Sequence, residues 1–271
     1  EHEEGVLYAG SDDGLLHITK NGGVAWENIT PKGIKDGIIN SIDISPHNPA
    51  TAYVVIMRYK SMDLNSYVFK TNDYGQTWTK IVNGLEDPNG FARVVRADKK
   101  RAGLLYAGTE TGLCISNDNG VHWQRLKLNL PVVAINDLTI QDNDLVAATS
   151  GRGFWILDDL GVLQNMNSND KPVQLFKPKD TYRIFGGVSQ ATGQGENPKS
   201  GVTFDYYLDK AADSLDLKVA ILQNSKVIRS YTNKKPKGFK SWPGGPSKPQ
   251  ILPSKKGYNR FTWDFNREAL P

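Results

Sequence analysis

Thr71-Asn72-Asp73-Tyr74-Gly75-Gln76-Thr77-Trp78 is one of three copies of a short turn signature. The others are Thr19-Lys20-Asn21-Gly22-Gly23-Val24-Ala25-Trp26 and Ser116-Asn117-Asp118-Asn119-Gly120-Val121-His122-Trp123. Each reads hydroxyl, any residue, Asp or Asn, any residue, Gly, two further residues, Trp. The copies start at Thr19, Thr71 and Ser116, which are 52 and 45 residues apart. Repetition at that interval suits one four-stranded propeller blade per copy.

The hydroxyl and the Asp or Asn can accept hydrogen bonds from backbone N–H groups in a tight turn. Gly23, Gly75 and Gly120 permit a positive φ, and Trp26, Trp78 and Trp123 bury a large ring that pins the hairpin. The flanks repeat as well. Leu7-Tyr8-Ala9-Gly10 matches Leu105-Tyr106-Ala107-Gly108, with a looser copy at Leu145-Val146-Ala147-Ala148. Apolar runs upstream, at Ile38 to Ser45, Ala92 to Ala97 and Ile135 to Ile140, read as further strands. Each unit is expected to run strand A, B, C, turn signature, strand D. The first enters at strand B, and the fourth loses its signature near Leu157.

Three and a half such units do not close a ring, because blades bury their apolar faces against neighbours. The expectation is therefore a piece of a larger ring, completed by the same longer polypeptide or by a second chain, with a self-sufficient partial ring as the alternative.

The chain has 26 Gly and 14 Pro in 271 residues and no long amphipathic helical pattern, as an all-β protein should. No apolar run approaches a membrane span. The net charge of +4 is modest, and the lysines at 234, 235, 237, 255 and 256 lie in Pro/Gly loops, so nucleic acid is not an expected partner. Cys114 is the single cysteine and sits in an apolar strand, which points to a buried thiol. His2, His17, His47 and His122 show no ligand spacing, so neither metal nor cofactor is expected.

After Gln164 the signatures stop. Residues 165–172 read as a polar linker between blades in 1–164 and a second β domain in 173–271. Strands are expected at Val173–Phe176, Tyr182–Phe185, Val202–Leu208, Leu215–Leu222, Val227–Tyr231 and Tyr258–Phe265. That spacing suits an immunoglobulin or fibronectin type III-like sandwich, and the six expected strands fall short of its usual seven.

The turn signature is the Asp-box, or bacterial neuraminidase repeat. Tyr8-Ala9-Gly10-Ser11-Asp12-Asp13-Gly14, Lys70 to Gly75, Leu104 to Gly112 and Gly151-Arg152-Gly153-Phe154-Trp155-Ile156-Leu157-Asp158-Asp159 resemble a family of large secreted Bacteroidota proteins described as sortilin-like or glycosyl hydrolase. The family pattern has His before the Gly-Arg pair, where this chain has Ser150. The resemblance implies a secreted, periplasmic or outer-surface location.

In such propellers the box lies opposite the usual ligand face, so Asp73 and Asp118 read as structural acceptors. The B–C turns point to the other face and carry Asp12, Asp13, Arg58, Tyr59, Asp63, Glu110, Ser150 and Arg152. Arg58, Tyr59, Glu110 and Arg152 are the candidate ligand-binding residues of a module recognising a peptide, protein or glycan. The alternative is a glycoside hydrolase. It needs two carboxyl groups about 5–5.5 Å apart for retention or about 6.5–9.5 Å apart for inversion, with Asp12, Asp13, Asp63 and Glu110 as candidates. A sialidase would use an arginine cluster and a Tyr activated by a Glu; Arg58, Arg152, Tyr59 and Glu110 supply those residue types without a recognisable arrangement.

Overall fold

The computed structural model describes residues 3–86, 90–166, 172–183, 200–212, 215–235, 242–243 and 249–267. They divide into two compact units, Glu1–Leu160 and Gly161–Pro271. Nearly all the regular structure is antiparallel sheet.

In the first unit, β1 (Leu7–Gly10), β2 (Leu16–Thr19) and β3 (Glu27–Asn28) form a three-stranded sheet. The second repeat is a four-stranded meander of β4 (Ile38–Ile44), β5 (Ala52–Met57), β6 (Val68–Thr71) and β7 (Thr79–Lys80). The third repeats that order with β8 (Ala92–Ala97), β9 (Leu105–Thr109), β10 (Gly112–Ser116) and β11 (Gln124–Arg125). The fourth has β12 (Ile135–Gln141), β13 (Asp144–Thr149) and β14 (Phe154–Leu157). The first strands pack side by side, β4 on β8 and β8 on β12. Propeller blades pack in this way around their axis.

The apolar cores lie between the sheets. Strand β5 is buried along its whole length because it feeds two of them. Val54 and Ile56 join Leu16, Ile18, Ile29 and Phe69 toward the first repeat. Tyr53 and Val55 join Val68, Ile81, Leu105, Ala107, Cys114 and Trp123 toward the third. A strand covered on both faces reads as a continuous apolar run, whereas β12, at the end of the series, alternates buried Ile135, Leu138 and Ile140 with exposed neighbours.

The second unit begins with α1 (Gly161–Asn165). It contains a sheet ordered β15 (Val173–Leu175), β16 (Val202–Leu208) and β19 (Gly257–Trp263), and a hairpin of β17 (Lys218–Gln223) and β18 (Lys226–Thr232). Tyr206, Leu208, Tyr231, Leu252 and Phe261 form its core. Asp205, buried within β16, is paired with Arg260 across the β16–β19 ladder at 2.8 Å. Of the strand expected at Tyr182–Phe185, Tyr182 and Arg183 lie in no strand, and residues 184 and 185 fall outside the described residues. Residues 167–171 of the expected linker also fall outside them. Among the described residues no helix is long and apolar enough to cross a membrane.

Candidate functional site

The boxes close the turn between third and fourth strands with the same bonds each time. Thr71 Oγ1 donates to Asp73 Oδ1 at 2.7 Å and accepts from Gly75 N at 2.9 Å, while Thr77 N donates to Asp73 Oδ1 at 2.9 Å. Ser116, Asp118, Gly120 and His122 reproduce this set, as do Thr19, Asn21, Gly23 and Ala25. The Thr77 hydroxyl and amide together hold the Asp73 carboxyl down to about 2. Burial works against the Asp118 carboxylate, yet hydrogen bonds from His122 and Ser116 keep it below its ordinary range. Gly23, Gly75 and Gly120 have φ of 97°, 89° and 90°. The preceding residues, Gly22, Tyr74 and Asn119, are left-handed as well. Their amides donate to Gly5, Ala50 and Gly103 just before the second strand of each unit. Box and A–B turn therefore share one end of the blade.

The Trp of the box reaches beyond its own hairpin. Trp78 Nε1 donates to Ile29 O at 2.7 Å, and Trp123 Nε1 donates to Ile81 O at 2.9 Å. Ile29 and Ile81 stand three residues after Trp26 and Trp78, where the chain leaves the last strand of the preceding repeat. A Cβ on Gly75 would stand 2.5 Å from Ile29 Cδ1, and one on Gly120 would stand 2.6 Å from Ile81 Cδ1. The box is thus a clip between neighbouring sheets as well as a turn.

The opposite end carries the B–C turns. Arg58 is enclosed by carboxylates: its Nη2 lies 2.6 Å from Asp36 Oδ1 and its Nη1 2.7 Å from Asp63 Oδ2. Tyr67 OH donates to Asp63 at 2.8 Å, and Ser61 Oγ donates to Asp36 at 2.5 Å. Hydrogen bonds from Ser61 and Arg58 lower the Asp36 carboxyl, and those from Tyr67 and Asn65 overcome burial to lower that of Asp63. Asp13 accepts from the Ser11 hydroxyl, which lowers its carboxyl, and neighbouring Asp12 is exposed.

Tyr59 stacks on Phe91 with centroids 5.8 Å apart and planes 4° from parallel. The Arg93 guanidinium lies 5.4 Å from the Phe91 centroid and pairs with Glu110. Glu110 N donates to Phe91 O at 3.1 Å, so the third B–C turn grips the start of β8. These contacts gather Tyr59 and Glu110 into one neighbourhood. Arg58 is engaged with Asp36 and Asp63 instead. Arg152, near β13, donates its backbone N to Thr149 and accepts from Trp155 through its carbonyl. Among the described residues no hydrogen bond or ion pair joins Arg152 to Arg58 or Glu110.

A feature absent from the sequence reading lies beside this neighbourhood. The first strands of the second, third and fourth repeats each carry a β-bulge near the B–C end, at Ile39/Ser41, Ala92/Val94 and Ile135/Asp137. The residues left out of the ladder are Asn40, Arg93 and Asn136. A bulge re-aims the side chain of its extra residue, and here three bulges are in register. Asn40 Nδ2 donates to Arg93 O at 2.6 Å, and Arg93 Nη1 donates to Asn136 Oδ1 at 3.3 Å. Asn40 and Asn136 are exposed. Asn40 Oδ1, Arg93 Nη2 and Asn136 Nδ2 make no hydrogen bond among the described residues. The sequence signal was a polar residue at one aligned place in three apolar runs: Ile39-Asn40, Ala92-Arg93 and Ile135-Asn136.

No family model matches the chain, and no curated protein matches it. Solved structures do. A YCF48 structure described as bound to D1 peptide is 21% identical over 57% of this chain and 48% of its own, with a TM-score of 0.44. A GH74 xyloglucanase from Xanthomonas campestris is 15% identical over 76% of this chain and 35% of its own, at 0.46. The extracellular domain of a putative one-component system from B. thetaiotaomicron is 14% identical over 82% of this chain and 27% of its own, at 0.41. The chain spans less than half the length of each of these three.

Proposed function

We propose that the first unit is a β-propeller binding module whose ligand lies across the B–C end, on the row Asn40, Arg93 and Asn136 beside the Tyr59 ring. The three in-register bulges carry this reading, since they deliver an unused acceptor and two unused donors to one surface. Tyr59, 41% exposed, adds a flat apolar face next to them. Amide and guanidinium edges beside a ring suit a peptide, protein or glycan segment. Glu110 enters this site by holding Arg93. Arg58 serves as a brace for the second B–C turn, and Arg152 takes part only if a ligand extends past Asn136 to the turn between β13 and β14.

Glycoside hydrolysis is the less supported reading. Its general acid needs a raised pKa, whereas Asp13 and Asp63 are both lowered. Glu110 is tied to Arg93. A hydrolase of this type would need carboxyl groups from blades beyond these residues.

The first unit belongs to a larger ring of Asp-box blades in an extracytoplasmic, sortilin-like protein, and the second unit is an immunoglobulin or fibronectin type III-like sandwich. The common core of the β15–β16–β19 sheet and the β17–β18 hairpin supports the latter.

Selection on the immobilised chain with a random peptide library and a glycan array tests the site. Binders should lose about tenfold or more in affinity to an Asn40→Ala/Asn136→Ala variant, as loss of hydrogen bonds worth about 1 kcal/mol each implies. They should be indifferent to Thr77→Ala at the box end. Binders unaffected by the double variant would overturn the proposal.

A further inference from the structure

The two clips seen inside the chain define an interface, and the first repeat presents half of it again. Where the third repeat meets the second, Leu105, Ala107, Cys114 and Trp123 face the neighbour and are 0%, 0%, 5% and 5% exposed. Where the second meets the first, Val54, Ile56 and Phe69 do the same with Trp78. Ladder registers place Leu7 and Ala9 where Leu105 and Ala107 stand, and His17 where Cys114 stands: Leu7 pairs with Thr19 and His17 with Asn28, as Leu105 pairs with Ser116 and Cys114 with Arg125. On this face Leu7 is 50% exposed and Trp26 45%. The box beneath them is fully formed, with Thr19, Asn21 and Gly23 bonded as in the other copies. Trp26 Nε1 donates to nothing among the described residues, and the Cβ direction of Gly23 is open except for the Trp26 ring itself at 3.9 Å.

We infer that the face bearing Leu7, Ala9, His17 and Trp26 is a docking surface for one further four-stranded Asp-box repeat. Its last strand must exit through a branched aliphatic residue that fills the space over Gly23. The carbonyl of that residue accepts the Trp26 indole N–H. The occupant follows from the two interfaces already present, in which Ile29 and Ile81 play that part. A second copy of this chain does not meet the requirement. Its Ile29 and Ile81 are already covered, and among the described residues its fourth sheet ends at β14 with no box and no exit strand. The inference rests on the reading that these repeats share a ring with further blades, and it is independent of any ligand at the B–C end.

The test supplies such a repeat. Fusing a copy of residues 38–104 directly before Leu7 adds a complete second-type repeat, its connection and a first strand for the existing β1–β2–β3 sheet. Oxidation by N-bromosuccinimide, mapped peptide by peptide, then reads each Trp. In the 271-residue chain Trp26 should react fast and Trp123 slowly. In the fusion Trp26 should slow to the rate of Trp123, and Ile81→Asp in the added copy should restore the fast rate. A folded fusion, shown by amide protection at the added Gly75, in which Trp26 stays fast overturns the docking surface while leaving ring membership untouched. If the fusion aggregates, a synthetic hairpin of residues 64–86 added to the 271-residue chain gives the second reading. Protection of Trp26 by the hairpin and not by its Ile81→Asp form supports the surface, and equal oxidation with both overturns it. Concentration-dependent dimerisation of the 271-residue chain that Trp26→Ala abolishes would instead assign the face to a second copy.

Discussion

The first and third turn signatures have the same internal hydrogen bonds and opposite surroundings. Around Trp123 the box closes on Ile81 of the preceding sheet and the ring is 5% exposed, whereas Trp26 is 45% exposed over an open Gly23. The turn is therefore fixed by its own eight residues, and the burial of its Trp is fixed by whichever sheet stands behind it. Local hydrogen bonding shapes each clip, while hydrophobic burial between sheets supplies most of its stabilisation.

That contrast predicts its largest effect at the Trp residues. Trp123→Ala removes a fully packed ring and should cost about 3–5 kcal/mol. Trp26→Ala should cost less than about 1 kcal/mol, the scale of an exposed substitution. Denaturant midpoints compare the two directly, and similar losses would break the comparison.

Glycine substitutions give a smaller, sharper form. Gly120→Ala meets Ile81 Cδ1 at 2.6 Å and also strains a φ of 90°, so overpacking of about 1–3 kcal/mol adds to the backbone cost. Gly23→Ala carries the backbone cost alone. The difference between the two, measured by thermal or chemical unfolding, isolates the neighbour's contribution.

A pH effect is the smallest of the three and distinguishes the boxes by residue type. The Asp73 carboxyl is depressed to about 2 from an ordinary 3.8. A depressed folded-state pKa means stability present above the unfolded value and lost as pH falls from about 4 through about 2. Asn21 occupies the same place in the first box and does not titrate. Amide exchange at Gly75 should speed up relative to Gly23 across that acid window, after correction for intrinsic rates. Parallel behaviour of the two amides would show that Asp73 carries no pH-linked support.

Much of the fold was legible because its signals are local. The box, the Leu7/Leu105 flanks and the order of strands per repeat follow from turn chemistry and short apolar runs. The left-handed Tyr74 was not legible, since an aromatic residue does not advertise positive φ as Gly or Asn does. The Trp clips were not legible because their partners, Ile29 and Ile81, lie 49 and 42 residues away in sequence. At the candidate site the B–C turns were legible from their Gly-bearing polar stretches, and two of their residues, Tyr59 and Glu110, share a neighbourhood. A third, Arg58, spends its charge on Asp36 and Asp63. The bulged row Asn40–Arg93–Asn136 was written in the aligned polar places of three strands. A lone polar residue in an apolar run does not announce a bulge, because the bulge exists only in the pairing with a partner strand.

Under the proposed function the B–C end, not the box end, meets the ligand. The most direct measurement is a chemical footprint of the chain with and without a saturating selected binder, reading nitration of Tyr59 and carbethoxylation of His122. Tyr59 is 41% exposed beside the bulged row, and His122 is exposed in the third box. Protection of Tyr59 with His122 unchanged is the predicted result. Protection of His122 with Tyr59 unchanged would contradict the account.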